Sequence, residues 1–230
     1  MRVLCACEES QACCAAFRER GHEAFSCDLE PCSGGHPEWH IQDDVRDWIK
    51  TDDCRPALRF FTQDGGIHAY KDWDMILAFP PCTHLCVSGA RWFAEKRADG
   101  RQQAAVDFFL TFTRLDCPKV AVENPVGVMS RHYRKPDQII QPYEYGHPYT
   151  KKTCLWLKGL PELRPTNILE RPADGWRNQN FTGGKYTGYG GTWCGATKDG
   201  RWRKFGDPEV KKERSKTFPG IAKAMAEQWG

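Results

Sequence analysis

Residues 73–82, Trp73-Asp74-Met75-Ile76-Leu77-Ala78-Phe79-Pro80-Pro81-Cys82, hold the segment from which the fold is read. The run from Met75 to Phe79 is apolar without a break and has the length of a buried strand. It is bounded by Asp74 on one side and by two prolines on the other. Two successive prolines fix φ and make a rigid turn, so the side chain that follows, Cys82, is presented in a defined direction.

Upstream, residues 2–7 (RVLCAC) form a short apolar run. Ser10 is placed to cap the helix that follows it, Gly21 closes that helix, and residues 24–27 read as a second strand ended by Asp28. This strand–helix–strand unit is the one that builds parallel sheets. Residues 41–45 are a third, short strand, a polar helix is expected from about Asp47, and Pro56 and Gly65-Gly66 break up the stretch before Trp73. Downstream, residues 91–115 have helical periodicity with Phe93, Phe108, Phe109 and Phe112 on the apolar side, and residues 119–123 (KVAVE) are a strand stopped by Asn124-Pro125.

Strands alternating with helices predict an α/β fold with a doubly wound, mostly parallel sheet that binds ligands at the carboxyl ends of its strands. Glu8, Asp28, Asp44, Cys82 and Glu123 all fall at such ends. Beyond residue 125 the pattern weakens. Residues 153–157 read as a strand and Pro219–Trp229 as a closing helix. The expected organisation is a catalytic domain over 1–160, a small aromatic and basic lobe over 161–213, and a C-terminal segment, 214–230, packing back on the catalytic domain.

The composition, 40% hydrophobic and 27% charged over 230 residues, is that of a globular chain. No apolar run approaches the roughly 18–20 residues of a membrane helix. The N-terminus turns acidic too early for a secretory signal, so a cytoplasmic location is expected. A net charge of +3 is too small to identify a partner by itself. Its distribution says more: residues 1–53 are acidic, whereas 176–216 interleave Lys and Arg with Trp, Tyr and Phe, a composition suited to phosphates and bases as well as to a solvated loop. Twelve cysteines in a cytosolic chain point to buried, catalytic or metal-bound thiols rather than disulfides.

Cys82 and Glu123 carry the chemistry. If one helix joins their strands, both arrive at the same sheet edge. A thiolate beside a carboxyl suits attack on cytosine. Addition at C6 makes C5 nucleophilic, and a protonated carboxyl bonded to ring N3 stabilises the developing charge. C5 then takes a carbon group from an activated donor, loses its proton, and the cysteine is eliminated.

With these residues in place, the chain resembles the cytosine C5 methyltransferases, in a shortened form seen in bacterial and phage-borne members. FPPC at 79–82 is similar to the family's Pro-Cys motif and ENP at 123–125 to its Glu-Asn motif. The opening block from Val3 to Pro31 resembles the cofactor-binding start of the family, and Trp73-Asp74 and QDDV at 42–45 also fit. The resemblance implies a Rossmann-like methyltransferase fold and S-adenosyl-L-methionine as donor. Cys82, Glu123 and Asn124 would be at the catalytic centre, with Lys151 or Lys152 (in TKKTCLWLKG) near the target base. Cys7, Glu8, Glu9, Ser10, Asp28, Asp44 and Pro80 would line the donor site, with Asp28 on the ribose, Asp44 on the adenine amino group and Glu8 on the donor's amino group. DNA is the implied partner. The family's first loop is Gly-rich, whereas Cys7-Glu8-Glu9-Ser10-Gln11 has no glycine. That departure leaves carboxy-S-adenosyl-L-methionine, and carboxymethyl transfer, as an alternative donor chemistry.

Three other readings compete. Cys27, Cys32, His36 and His40, spaced C-x4-C-x3-H-x3-H, could hold a tetrahedral zinc. His36, Glu38, Cys82 and Cys86 imitate a zinc deaminase signature, although the cysteines are four apart rather than three. A non-catalytic DNA-binding protein that has kept the fold is the third. Against it stands the retention of both Cys82 and Glu123, a pair that no structural need explains.

Overall fold

A computed structural model describes residues 1–49, 58–170, 177–178 and 215–230. Its centre is a seven-stranded sheet. The strands are β1 (Arg2–Ala6), β2 (Glu23–Asp28), β3 (His40–Gln42), β6 (Met75–Ala78), β7 (Lys119–Pro125), β8 (Gln138–Ile140) and β10 (Thr153–Lys158), in the order β3-β2-β1-β6-β7-β10-β8. The first five run parallel, and β10 is antiparallel to both its neighbours. This is the doubly wound, mostly parallel, Rossmann-like α/β class that the sequence predicts.

The strands are apolar at consecutive positions because both faces of the sheet are covered. Val3, Cys5, Met75, Leu77, Ala121 and Leu155 face one layer, built from α1 (Ala12–Glu19) and the C-terminal helix, here α5 (Pro219–Trp229). Leu4, Ala6, Ile76, Ala78, Val120, Val122 and Trp156 face the other, where α3 (Arg101–Thr113) supplies Val106, Phe109 and Phe112. The helix at Pro219–Trp229 stands where the sequence places it. Trp229 is buried and its indole N–H donates to the Pro161 carbonyl, 2.9 Å, which ties the end of the chain to the segment after β10.

Three local expectations are corrected. Ser10 does not cap α1. Gln11 occupies the N-cap with φ 59°, and the carboxylate of Glu8 accepts from the amides of Cys13 (2.7 Å) and Cys14 (3.1 Å). A helix begins with unsatisfied N–H groups, and here a residue outside it satisfies them. The periodic stretch 91–115 is two helices, α2 (Phe93–Ala98) and α3, because Gly100 takes φ 80° and Asp99 caps Arg101. The stretch around Gly65-Gly66 is not merely broken. It is a hairpin, β4 (Leu58–Phe61) with β5 (Ile67–Tyr70), whose turn is held by Asp64 bonding Thr62 Oγ1 and the Gly66 amide. Phe60 of this hairpin is fully buried against Phe25 and Trp73.

Most of the expected lobe, 161–213, and the polar helix expected after Asp47 lie largely outside the described residues. Among the described residues the core extends past 160 to Leu163, which is buried and exchanges hydrogen bonds with Gln138. No helix of these residues is long and apolar enough to cross a membrane.

Candidate active site

The register of β6 on β7 pairs Ala78 with Val122; β6 ends there and leads into Pro80-Pro81-Cys82, whereas β7 is not stopped by Asn124-Pro125 as expected but runs on through Glu123-Asn124-Pro125, paired to β10. Asn124 is buried within β7, and its Nδ2 donates to the Pro80 carbonyl at 2.7 Å, tying β7 to the turn that leaves β6. A second junction lies one turn further out. Val87 N donates to Val126 O (3.1 Å) and Val128 N to Leu85 O (2.9 Å), with Cys86 bridging Gly127. A Cβ at Gly127 would lie 2.2 Å from the Leu85 carbonyl oxygen, so only glycine admits this approach of backbone to backbone.

Cys82 is half-buried. Burial, then the charge of Glu123 and then Cys86 push its thiol up to about 11, while Lys151 acts in the opposite direction. The resting protein therefore carries a thiol there at neutral pH. Glu123 is also shifted: burial raises its carboxyl above the usual range and Lys151 opposes the shift. Its Oε1 is shielded from water and has no hydrogen-bond partner among the described residues. Such an atom is costly unless a ligand completes it.

The structure separates the two lysines. The charge of Lys151 reaches both Cys82 and Glu123, whereas that of Lys152 is felt at the buried thiol of Cys154, the register partner of Asn124. Lys151 lies two residues before the antiparallel strand β10, and its backbone N–H is held by Gln141 Oε1 at 3.0 Å.

On the other side of β6 from β7, the β1–α1 loop has no glycine but keeps a glycine-like course. Cys7 (φ 60°) and Gln11 (φ 59°) are both left-handed, a conformation that costs a non-glycine residue about 1 kcal/mol or more. The loop is held by the Cys7 amide on Cys27 O (2.7 Å). The buried Gln11 side chain spans Ser26 Oγ and both the amide and the carbonyl of His36. Burial, followed by the charges of Asp28 and Asp44, pushes the Cys7 thiol up, which places both carboxylates around this loop. Asp28 ends β2 and accepts from Glu30 N at 3.0 Å. The carboxylate of Asp44 is engaged by the Arg46 guanidinium (2.5 and 3.0 Å) and caps the turn at Arg46 N. Glu9 contributes its carbonyl to Ser33 N, and Ser10 lies under Gly34, so residues 30–36 close over the loop.

Glu8 lies beneath this loop in a role the sequence did not suggest. It is buried with both oxygens on the first turn of α1, and burial pushes its carboxyl up to about 7 against the lowering effect of the Cys13 and Cys14 amides. A raised folded-state value means that the folded protein holds this proton more tightly than the unfolded chain does. The stability from this group is therefore fully present below its ordinary value of 4.5 and is lost as pH rises through about 7. Glu8→Gln should flatten that part of the profile. Urea midpoints at about pH 5 and about pH 7.5 should differ less in the variant than in the wild type, and an unchanged difference would refute the assignment.

Neither zinc arrangement forms. Among the described residues no group of three or more His, Cys, Asp or Glu is placed to hold a metal ion. His40 is fully buried with both ring nitrogens used: Nε2 donates to Glu30 O (2.9 Å) and Nδ1 accepts from Ser26 Oγ (2.8 Å). Cys27 faces the core. His36 stacks on Trp39 at 3.7 Å with Nδ1 on Glu38, so the deaminase-like set does not assemble around Cys82.

The sequence reading missed the residues that hold the site in shape, Gln11, Lys96, Gln102 and Gly127. Only Gly127, two residues after Glu123-Asn124-Pro125, carries a sequence signal. A polar residue turned inward to a carbonyl looks in sequence like any surface residue.

No family model matches the chain, and no curated protein is similar to it. Among solved structures it is similar to a crystal structure described as a proposed DNA modification methyltransferase encoded within an E. coli prophage. The two are 15% identical with a TM-score of 0.46, over 74% of this chain and 52% of the other. The chain thus spans about half the length of that protein, and a likeness at this level bears on neither activity nor substrate.

Proposed function

We propose that the protein transfers a methyl or carboxymethyl group from an S-adenosyl sulfonium donor to C5 of cytosine in DNA, with Cys82 as nucleophile. The observation that carries this reading is the delivery of Cys82 and Glu123 by adjacent parallel strands to one edge, joined by the Asn124–Pro80 hydrogen bond. The donor's contribution, when bound, is an electrophilic carbon on sulfur. The left-handed Cys7 and Gln11, with Asp28 and Asp44 beside the loop, fit the ribosyl-adenine end of such a donor. Glu8, committed to α1, does not serve its amino group.

The remaining steps belong to this chain's own residues. The unpartnered Oε1 of Glu123, on a carboxyl whose proton is held more tightly than usual, suits a hydrogen bond to ring N3 of the cytosine. A cytosine that binds with Glu123 protonated removes the charge that raises the Cys82 value, Lys151 continues to lower it, and the thiol gives its proton to water as its sulfur adds to C6. C5 displaces the donor's sulfur, which leaves as a thioether; water takes the C5 proton, its electrons re-form the C5–C6 double bond, the C6–S bond breaks with its pair returning to Cys82, and N3 returns its proton to Glu123. A base within a duplex hides C6, so the target base must leave the stack or come from a single strand.

The test combines two mass measurements. Protein purified without added ligand is denatured and its small molecules are weighed, which separates the methyl donor from the carboxylated one. A cytosine-containing oligonucleotide incubated with protein and each donor is digested to nucleosides. C5-modified deoxycytidine supports the proposal; unmodified DNA with both donors, single- and double-stranded, rejects it.

A further inference from the structure

The peptide that follows Cys82 is held from below by two side chains outside the machinery assigned so far. Lys96, in α2, is only 7% exposed, and its ammonium donates to the Thr83 carbonyl at 2.6 Å. Gln102, in the first turn of α3, is 2% exposed, and its Nε2 donates to the His84 carbonyl at 3.1 Å. The Lys96 nitrogen also fills the space under Gly89, where a Cβ would lie 3.2 Å from it.

Around these two contacts, the carbonyls near Cys82 are nearly all engaged. Pro80 O accepts from Asn124, Cys82 O from the amides of Leu85 and Cys86, and Leu85 O from Val128 N. With Thr83 O and His84 O also held, the oxygens of this turn are tied to the protein. An apolar side chain would fill this largely covered position without drawing an ammonium away from water. A cation on a single carbonyl in this place therefore indicates that the position of the carbonyl matters.

We propose that Lys96 and Gln102 are positioning residues for Cys82: they hold the Thr83 and His84 peptides, and through them aim the thiol. The effect on turnover rests on the transferase reading; the effect on the thiol rests on the geometry alone.

The experiment uses the full chain with Lys96→Met and Gln102→Leu, each close in volume to the residue it replaces. Under native conditions iodoacetamide alkylation is followed site by site by mass spectrometry, with half-buried Cys32, held elsewhere by its amide on Gln63 Oε1, as internal control. Freed of its clamp, Cys82 should be alkylated several times faster while the Cys32 rate stays put. On an oligonucleotide substrate, kcat should fall by about 10–100-fold with the donor KM unchanged, since a misplacement near 1 Å costs about that much. An unchanged ratio of Cys82 to Cys32 rates in both variants overturns the proposal, as does a parallel rise at both thiols. If Lys96→Met does not fold, Gln102→Leu decides by the same ratio. If the wild type modifies no DNA, the transferase reading fails while the alkylation ratio still decides the clamp.

Discussion

Cys82→Ala should lose turnover entirely, on the order of 10⁶-fold, while binding the sulfonium donor as the wild type does. Cytosine C5 is not nucleophilic until C6 carries a substituent, so no neighbouring group can make up for the missing sulfur. The residues proposed for the donor, Cys7, Asp28 and Asp44, follow β1, end β2 and cap the turn after β3, whereas Cys82 follows β6, so the two sites are separable by mutation. Calorimetric titration of the donor, paired with nucleoside analysis of treated DNA, makes the comparison. Retained turnover would remove Cys82 from the mechanism, and lost donor binding would show a collapsed site instead. Cys82→Ser should behave like Ala, because a serine hydroxyl does not supply the anion that the thiol can.

Glu123→Gln should have the second largest effect, and its two readouts move in opposite directions. Turnover should fall by about 10²–10⁴-fold, the range expected for loss of a positioned proton-sharing group. The Cys82 thiol should become more acidic, because the second cause of its elevation, after burial, is the charge of Glu123. Its value should fall from about 11 but stay above 9.0, since burial remains. Iodoacetamide rates measured against pH read this directly, with Cys82 of the variant reacting faster at any pH below the midpoint. Lys151→Met should shift the thiol the other way, since that cation lowers it. A Glu123→Gln protein whose Cys82 profile is unchanged would break the electrostatic link between the two groups.

Much of the site was legible because its chemistry rests on residues that end strands. A strand stopped by Pro-Pro is visible in the chain, and the parallel register of β6 on β7 then brings Cys82 and Glu123 together; the Asn-Pro expected to stop β7 lies inside it, because β10 pairs with those residues. The choice of Lys151 over Lys152 was not visible. It depends on how the chain enters an antiparallel strand, and on a two-residue offset between a turn and a sheet edge. The role of Glu8 was hidden for a related reason. A carboxylate four residues ahead of a helix is equally suited to a ligand or to the helix amides, and only burial decides between them. The hairpin β4–β5 escaped because its apolar residues do not alternate: Phe60 points into the core while Phe61 and Ile67 stay exposed. The zinc-like spacing failed because spacing along the chain says nothing of side-chain direction. Cys27 and His40 sit on neighbouring strands, but both are spent on the interior.

The high thiol value of Cys82 bears on how such a protein endures in a cell. Peroxides and other electrophiles attack the thiolate far faster than the thiol, so a cysteine held in its protonated form is poorly reactive until its partner arrives. The same holds for Cys5, Cys13, Cys14 and Cys27, all pushed up first by burial. These buried cysteines, free in the structure, are thus guarded by their protonation, and on the proposed mechanism the Cys82 sulfur is unmasked only while a cytosine is bound. Wear on such an enzyme would track the number of catalytic cycles it has run, not its age.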